Sequence, residues 1–352
     1  MRALRKTHDG PGLELCEIPE PTPGFAEVKI RVLRTGLCGT DLHLLGWDDW
    51  ARTQFTPPMT TGHEFYGEIV ELGPGVPEGE GRDELKVGQR VSVEGHIVCG
   101  RCRNCRSGRR QMCIRSRGIG VNRDGAFADY VVVPHTNVWK QNDAIDPDLG
   151  ALFDPFGNAV HTCQQVDMSG VDVLITGAGP IGVMATAIAR HSGARYVVVT
   201  DLNDDRLAMA KNVGADRVVN VGKETLRDTM NELDIYEGFE VGIEMSGAPA
   251  ALNMMVDHCN FGGTIAMLGL PKNEFAIDFS KVITHMLTIK GVYGREMFET
   301  WYRAAFMLQS SEAMRDAVRS VITHHYKAED WQEAFDTAAS GQAGKVLISW
   351  ED

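Results

Sequence analysis

The chain predicts a two-domain α/β fold, with a β-rich domain followed by a doubly wound parallel sheet. Three observations carry this. Its 352 residues exceed what one ordinary core encloses. The first 150 residues hold short β-like runs broken by turns, whereas the stretch beyond alternates strands with helices. Finally, Gly177-Ala-Gly-Pro-Ile-Gly182 follows an apolar strand and opens a helix.

Taken in order, Glu27–Arg34 alternates with a period of two, as a strand with one wet face does, after the breakers Pro19, Pro21, Pro23 and Gly24. Glu68–Leu72, Arg90–Val93 and Phe127–Val133 read as further strands of a barrel or sandwich. Gly73–Gly88, rich in Gly, Pro and Glu, reads as an exposed loop. Val171–Thr176 is a continuous apolar strand, followed by an Ala-rich helix to His191. Tyr196–Thr200 is the next strand and ends at Asp201; Asp204–Val213 is helical, with Gly214 suited to its C′ position. Strands follow around Val218 and at Phe239–Glu244, Thr264–Leu268 and His285–Val292. Helices at Met297–Gln309 and Asp330–Ala339 and a strand at Lys345–Ser349 form a tail expected to return to the first domain. The expected division is 1–153, with a metal lobe at 95–117, then 154–295 for the nucleotide domain and 296–352 for the return.

A net charge of −13 argues against nucleic acid or an anionic membrane as the main partner. Arg101, Arg103, Arg106, Arg109, Arg110, Arg115 and Arg117 are a local exception, read as a solvated face or else a subunit contact or anion site. The N-terminus has no apolar signal region, so a cytoplasmic location is expected. Val171–Ala189 is apolar enough to suggest a membrane span, but Asp172, three glycines and Pro180 fit a buried strand, turn and helix better. Eight cysteines without a secretion signal point to metal-binding thiolates.

Cys99, Cys102, Cys105 and Cys113 are spaced to wrap one tetrahedral zinc. Four sulfurs leave no place for substrate, which makes the site structural; an iron–sulfur cluster is the competing reading. A second constellation differs. Cys38, His63 and Glu64 or another carboxylate offer S, N and O donors, a mixture zinc accepts, and leave a position open for water or substrate. Thr40 and His43 are then left beside the metal to move a proton. Asp154, in Phe153-Asp-Pro155, is a further ligand or relay member, or simply a helix-start residue. Cys16, Cys163 and Cys259 read as ordinary cysteines.

In the nucleotide motif, Gly177 permits the tight turn, Gly179 lets the backbone approach a pyrophosphate, and Gly182 allows close strand–helix packing. The helix N-terminus offers free N–H groups to phosphates. Asp201 suits ribose hydroxyls and would repel a 2′-phosphate, favouring NAD over NADP, although Arg206 nearby weakens that preference.

Gly62-His-Glu-x-x-Gly67, the four-cysteine lobe and the late glycine motif together resemble the zinc-dependent medium-chain dehydrogenase/reductase family, over the whole chain. The closer stretches are Cys38-Gly-Thr-Asp-x-His43, Asp154–His161, Glu244–Ala248 and Gly294–Trp301. The resemblance implies a small-chaperonin-like β-rich domain interrupted by a Rossmann domain, with the active site between them, in a homotetramer. It implies catalytic zinc on Cys38, His63 and Glu64 and structural zinc on the four lobe cysteines. It also implies a proton relay of Thr40 and His43 assisted by Asp154. NAD contacts are implied at Ile181, Asp201, Arg206, Leu268, Gly269, Leu270, Val292 and Tyr293. The implied reaction is oxidation of the L-threonine secondary hydroxyl to 2-amino-3-oxobutanoate, with hydride transfer to NAD. Substrate identity rests on the closer stretches, because relatives acting on polyols or secondary alcohols share most metal and NAD motifs; a non-catalytic nucleotide-binding protein is the rival of another class. Threonine's charges need partners, for which Arg295 (carboxylate) and His96 (pocket lining) are candidates. The loop at 74–86 is longer than the family pattern needs.

Overall fold

The structure is a computed structural model and describes residues 1–81 and 83–351. Arg82, inside the long loop, and Asp352 lie outside the described residues. Two compact units are present, Met1–Asp154 with Ile322–Asp352, and Pro155–Val321.

The first unit contains β1 (Glu27–Gly36), α1 (Gly39–Gly46), α2 (Asp49–Gln54), β2 (Glu64–Leu72), β3 (Arg90–Val93), β4 (Tyr130–Pro134) and β5 (Val138–Lys140). Helix α3 (Phe153–Cys163) carries the chain into the second unit. There the elements are β6 (Asp172–Thr176), α4 (Pro180–His191), β7 (Tyr196–Asp201), α5 (Asp204–Asn212), β8 (Arg217–Asn220), β9 (Phe239–Glu244), β10 (Cys259–Met267), β11 (Thr288–Gly291), α6 (Glu299–Ser310) and α7 (Glu312–Ser320). The chain re-enters the first unit with β12 (Ile322–Lys327), α8 (Trp331–Ala339) and β13 (Lys345–Ser349).

In the first unit the main sheet runs β5-β3-β2-β1-β13-β12, with β4 also paired to β1. Strand β1 forms because Val28, Ile30 and Val32 are buried on one face while Lys29 and Arg31 turn outward. Phe127 and Phe335 meet edge to face beneath it, tying α8 to the core. The register sets Gly36 opposite Glu64 on β2 and opposite Leu347 on β13. The end of β1, which leads into Cys38, is therefore flanked by Glu64 on one side and by the returning C-terminal strand on the other.

The second unit holds six parallel strands in the order β8-β7-β6-β9-β10-β11. All of β6 is buried, as expected of a strand covered on both faces. Connections leave β6 in one direction and β9 in the other, so the topological switch point lies between these two strands.

Several observed borders depart from the sequence reading, and three of these departures bear on the architecture. The return begins at Ile322, not at residue 296, because α6 and α7 pack with the second unit. The last strand of the parallel sheet is Thr288–Gly291; His285 instead caps the helix Phe279–Thr284, which starts on the side chain of Asp278. Strand β2 starts at Glu64, four residues earlier than its apolar pattern suggested, because its first residues pair with Gly36, Thr35 and Arg34. No helix among the described residues is long and apolar enough to cross a membrane.

Candidate active site

Cys38 is the N-cap of α1, and Asp41 in its first turn accepts from the Cys38 N–H at 2.9 Å. This fixes Cys38 where β1 ends. His63 and Glu64 stand at the start of β2, beside it. One ligand atom each from Cys38, His63 and Glu64 lies within 4.8 Å of the others, close enough to hold one metal ion. Asp41 Oδ1 lies 3.8 Å from His63 Nδ1, and neither atom has a hydrogen-bond partner in the chain. Buried polar atoms left in this state are costly unless a further charge compensates them, so a cation fits here. The mixed S, N, O donor set is the one zinc takes in catalytic sites.

The electrostatics agree. Burial pushes the Asp41 carboxyl up, against the pull of His63. Burial alone would lower His63, but Asp41 and Cys38 more than offset it and raise the imidazole to about 10. Negative charge therefore dominates the pocket. Asp154 is buried too, and its Oδ2 lies 3.7 Å from the Cβ position of Gly95, which also neighbours His63. Among the described residues it does not join the three-ligand group.

Thr40 and His43 are three residues apart on α1, hence on one helix face. Thr40 Oγ1 lies 3.9 Å from Cys38 Sγ. His43 Nδ1 meets Asp48 Oδ2 at 2.5 Å, and Asp48 in turn caps α2 through the Ala51 N–H. His96 is held similarly: Glu94, fully buried, accepts from both its backbone N–H (2.9 Å) and Nδ1 (2.8 Å). Sequence reasoning missed Asp48 and Glu94. Each reads locally as a helix cap or a strand-end acid, and no spacing marked either as a partner of histidine.

The second constellation also closes. Cys99, Cys102, Cys105 and Cys113 bring their sulfurs within 4.8 Å of one another. Backbone N–H groups of Cys99 and Arg115 point at Cys113 Sγ, both at 3.4 Å. Those of Arg101 and then Cys102 bring the Cys99 thiol down to about 6, favouring thiolate. All seven lobe arginines are exposed, and among the described residues none pairs with a carboxylate, although Arg115 Nη1 lies 3.8 Å from Cys99 Sγ.

In the second unit the expected nucleotide contacts gather at the carboxyl ends of parallel strands. Gly177 follows β6 with φ +90°, and a Cβ on Gly182 would lie 1.8 Å from the Gly177 carbonyl oxygen. Gly179 caps α4, and the space around its Cβ position is open; Ile181 lies in the first turn. Asp201 ends β7 and accepts from the N–H groups of Ala178 (2.6 Å), Leu202 (2.7 Å) and Asn203 (2.9 Å). Arg206 lies in the first turn of α5, and its Nε is buried without a partner. Leu268, Gly269 and exposed Leu270 follow β10; Val292 and exposed Tyr293 follow β11. Glu244, at the end of β9, organises this rim: its carboxylate accepts from Ser246 and Gly247, and its carbonyl from Leu268 and Gly269. Arg295 is buried in the same unit, with Nη1 3.3 Å from Asn158 Oδ1.

Comparison with known proteins matches this arrangement. Residues 24–143 match the alcohol dehydrogenase GroES-like domain, and residues 180–310 the zinc-binding dehydrogenase family. An L-threonine 3-dehydrogenase of Shewanella putrefaciens is 52% identical over 351 residues, covering 100% of both chains; one of Shewanella baltica is 51% identical with the same coverage. Among solved structures, galactitol-1-phosphate dehydrogenase of Escherichia coli superposes with a TM-score of 0.87 at 27% identity, over 99% of this chain and 100% of that one. An E. coli short chain alcohol dehydrogenase complexed with NADH gives 0.86 at 26%, over 99% of each. A putative zinc-binding dehydrogenase of Sinorhizobium meliloti bound to NADP gives 0.84 at 27%, over 99% and 98%. With three metal-ligand types on the first unit, a dinucleotide fingerprint on the second and full-length identity of this order, the chain belongs to the zinc-binding dehydrogenases, in the family of the L-threonine 3-dehydrogenases.

Proposed function

We propose that the protein oxidises the secondary hydroxyl of L-threonine to 2-amino-3-oxobutanoate and reduces NAD, a step of threonine breakdown toward glycine. The observation that carries this is the Cys38–His63–Glu64 group, with Thr40 and His43 on the adjoining helix, in a chain half identical to enzymes named for that reaction. Zinc held by these three residues would make a bound alcohol acidic, and NAD would accept the hydride. The remaining steps belong to the chain's own side chains. Thr40 accepts the hydroxyl proton and hands it to His43. With Nδ1 engaged by Asp48, the His43 Nε2 is the nitrogen left to trade that proton with solvent. Asp41, behind His63, orients the ligand imidazole, and Asp154 adds negative charge nearby.

Recognition of the amino-acid head falls to His96, whose ring Glu94 holds in one orientation. Gly177, Gly179 and Gly182 admit the pyrophosphate, Ile181, Leu268–Leu270, Val292 and Tyr293 flank the coenzyme, and Asp201 with Arg206 takes the adenosine ribose. Asp201 favours NAD, although one structural relative binds NADP. The Cys99–Cys113 lobe holds a second, structural zinc. Its exposed arginines, with no carboxylate partner among the described residues, suit a subunit contact within a homotetramer on a chain of net charge −13. A cytoplasmic location fits the cysteine chemistry.

A second reading is a polyol or secondary-alcohol dehydrogenase, favoured by the likeness to galactitol-1-phosphate dehydrogenase. Rates of NAD reduction with L-threonine, sorbitol and butane-2,3-diol, with and without chelator, separate the two. Sorbitol or the diol outpacing threonine would establish the second reading.

A further inference from the structure

Lys345, the first residue of β13, is buried and stands at the candidate metal site from the far end of the chain. Its Nζ donates to the Leu37 carbonyl at 2.7 Å, one residue before Cys38. The same Nζ lies 2.5 Å from Glu64 Oε2, an ion pair outside hydrogen-bond angles. Both side chains are buried, at 7% and 2% exposure. The contact spans three strands. Glu64 comes from β2 and Lys345 from β13, on opposite sides of β1. Between them stands Gly36. A Cβ there would lie 2.4 Å from Glu64 Oε2 and 3.2 Å from Lys345 Cε. The missing side chain is what lets the lysine cross β1.

We propose that Lys345 is a positioning residue that competes with the metal ion for Glu64 and so keeps this carboxylate a weak ligand. The inference rests on the reading that Cys38, His63 and Glu64 hold a divalent ion. A buried carboxylate needs a counter-charge. Lys345 supplies one that is always present, so Glu64 is not compelled to commit both oxygens to the ion. A coordination place then stays open for the substrate hydroxyl. Lys345 also places a positive charge near the ion itself, which weakens its hold. Removing the charge acts in one direction on both counts: the carboxylate is left with only the ion to neutralise it, and the ion is held tighter.

The test is the rate at which the zinc-loaded enzyme gives up its ion to a chromophoric chelator. A Cys38→Ser enzyme identifies the release belonging to the four-cysteine lobe. Lys345→Met and Lys345→Gln both remove the charge, and the glutamine keeps a donor for the Leu37 carbonyl should the methionine fail to fold. Both should slow release from the Cys38 site by about ten-fold or more, the scale of outer-shell changes at metal sites. Lys345→Arg should release at about the wild-type rate. Combined with Glu64→Gln, Lys345→Gln should slow release much less, because the route through that carboxylate is gone and only the direct repulsion of the ion is left to remove. Unchanged or faster release in the single variants, or an undiminished effect in the Glu64→Gln background, would overturn the proposal. Release needs no substrate. An enzyme that held zinc at Cys38 but ignored threonine would therefore refute the substrate reading and leave this one standing.

Discussion

Asp48 illustrates how one carboxylate serves two neighbours. Its carboxyl lies below the ordinary range, first because the Ala51 N–H donates to it and then because His43 does. A depressed carboxyl adds stability above its unfolded pKa of about 3.8, and that stability is lost as pH falls through the folded value. Asp48→Asn should therefore lower the thermal midpoint at neutral pH, and its gap from wild type should close as the buffer is taken toward pH 3. The same variant frees the His43 ring, so turnover of threonine should fall; His43→Ala should fall further, by about a hundred-fold, the lower end for an acid–base group. Glu94→Gln should raise KM for threonine about ten-fold while sparing the rate on butan-2-ol, which has no amino-acid head. Equal losses on both substrates in steady-state assays would remove Glu94 and His96 from recognition. That Cys38, His63 and Glu64 come together was legible from sequence, because such a mixture of donors at close spacing suits one ion. Asp48, Glu94 and Lys345 were not. Their partners are set by tertiary register, and each side chain has an unremarkable local explanation.

At the scale of elements, the glycine loop and Asp201 act as one unit, because the Asp201 carboxylate accepts the Ala178 N–H inside that loop. Asp201→Ala should remove both the proposed ribose acceptor and the tether of the glycine loop. The KM for NAD should rise about ten- to a hundred-fold, the equivalent of one charged hydrogen bond, and the preference over NADP should narrow. Initial rates with each coenzyme measure this directly. The alternation of β1, the buried run of β6 and the turn at Gly177 were all readable, since each follows from a local period or a backbone requirement. The border of the parallel sheet was less so. Apolar residues in His285–Val292 are shared between a helix end and a strand, and only the Asp278 cap and the pairing of β11 with β10 divide them. Helix α7 was missed because its sequence, Glu312–Ser320, buries only Met314 and Val318.

At the scale of the whole molecule, the two donor groups, with the separate duties proposed for them, should be separable in solution. Metal analysis should find about two zinc ions per chain, one for each donor group. Cys38→Ser should keep the fold and the lobe ion but lose turnover. Cys105→Ser should lose the lobe ion and lower the thermal midpoint or the assembly state. Sedimentation and melting curves distinguish these outcomes, and a pair of variants that only slowed turnover would refute the division. The main sheet of the first unit has a further consequence. Strand β13, laid between β1 and β12, is the last regular element among the described residues. Ribosomes emit a polypeptide from its amino end, and domains generally fold as units while they emerge. The nascent chain thus holds every residue of its dinucleotide-binding unit while the earlier-made unit still waits for its closing strand and for the lysine that strand brings. The second unit is thus synthesised whole before β13 can set Lys345 beside Glu64.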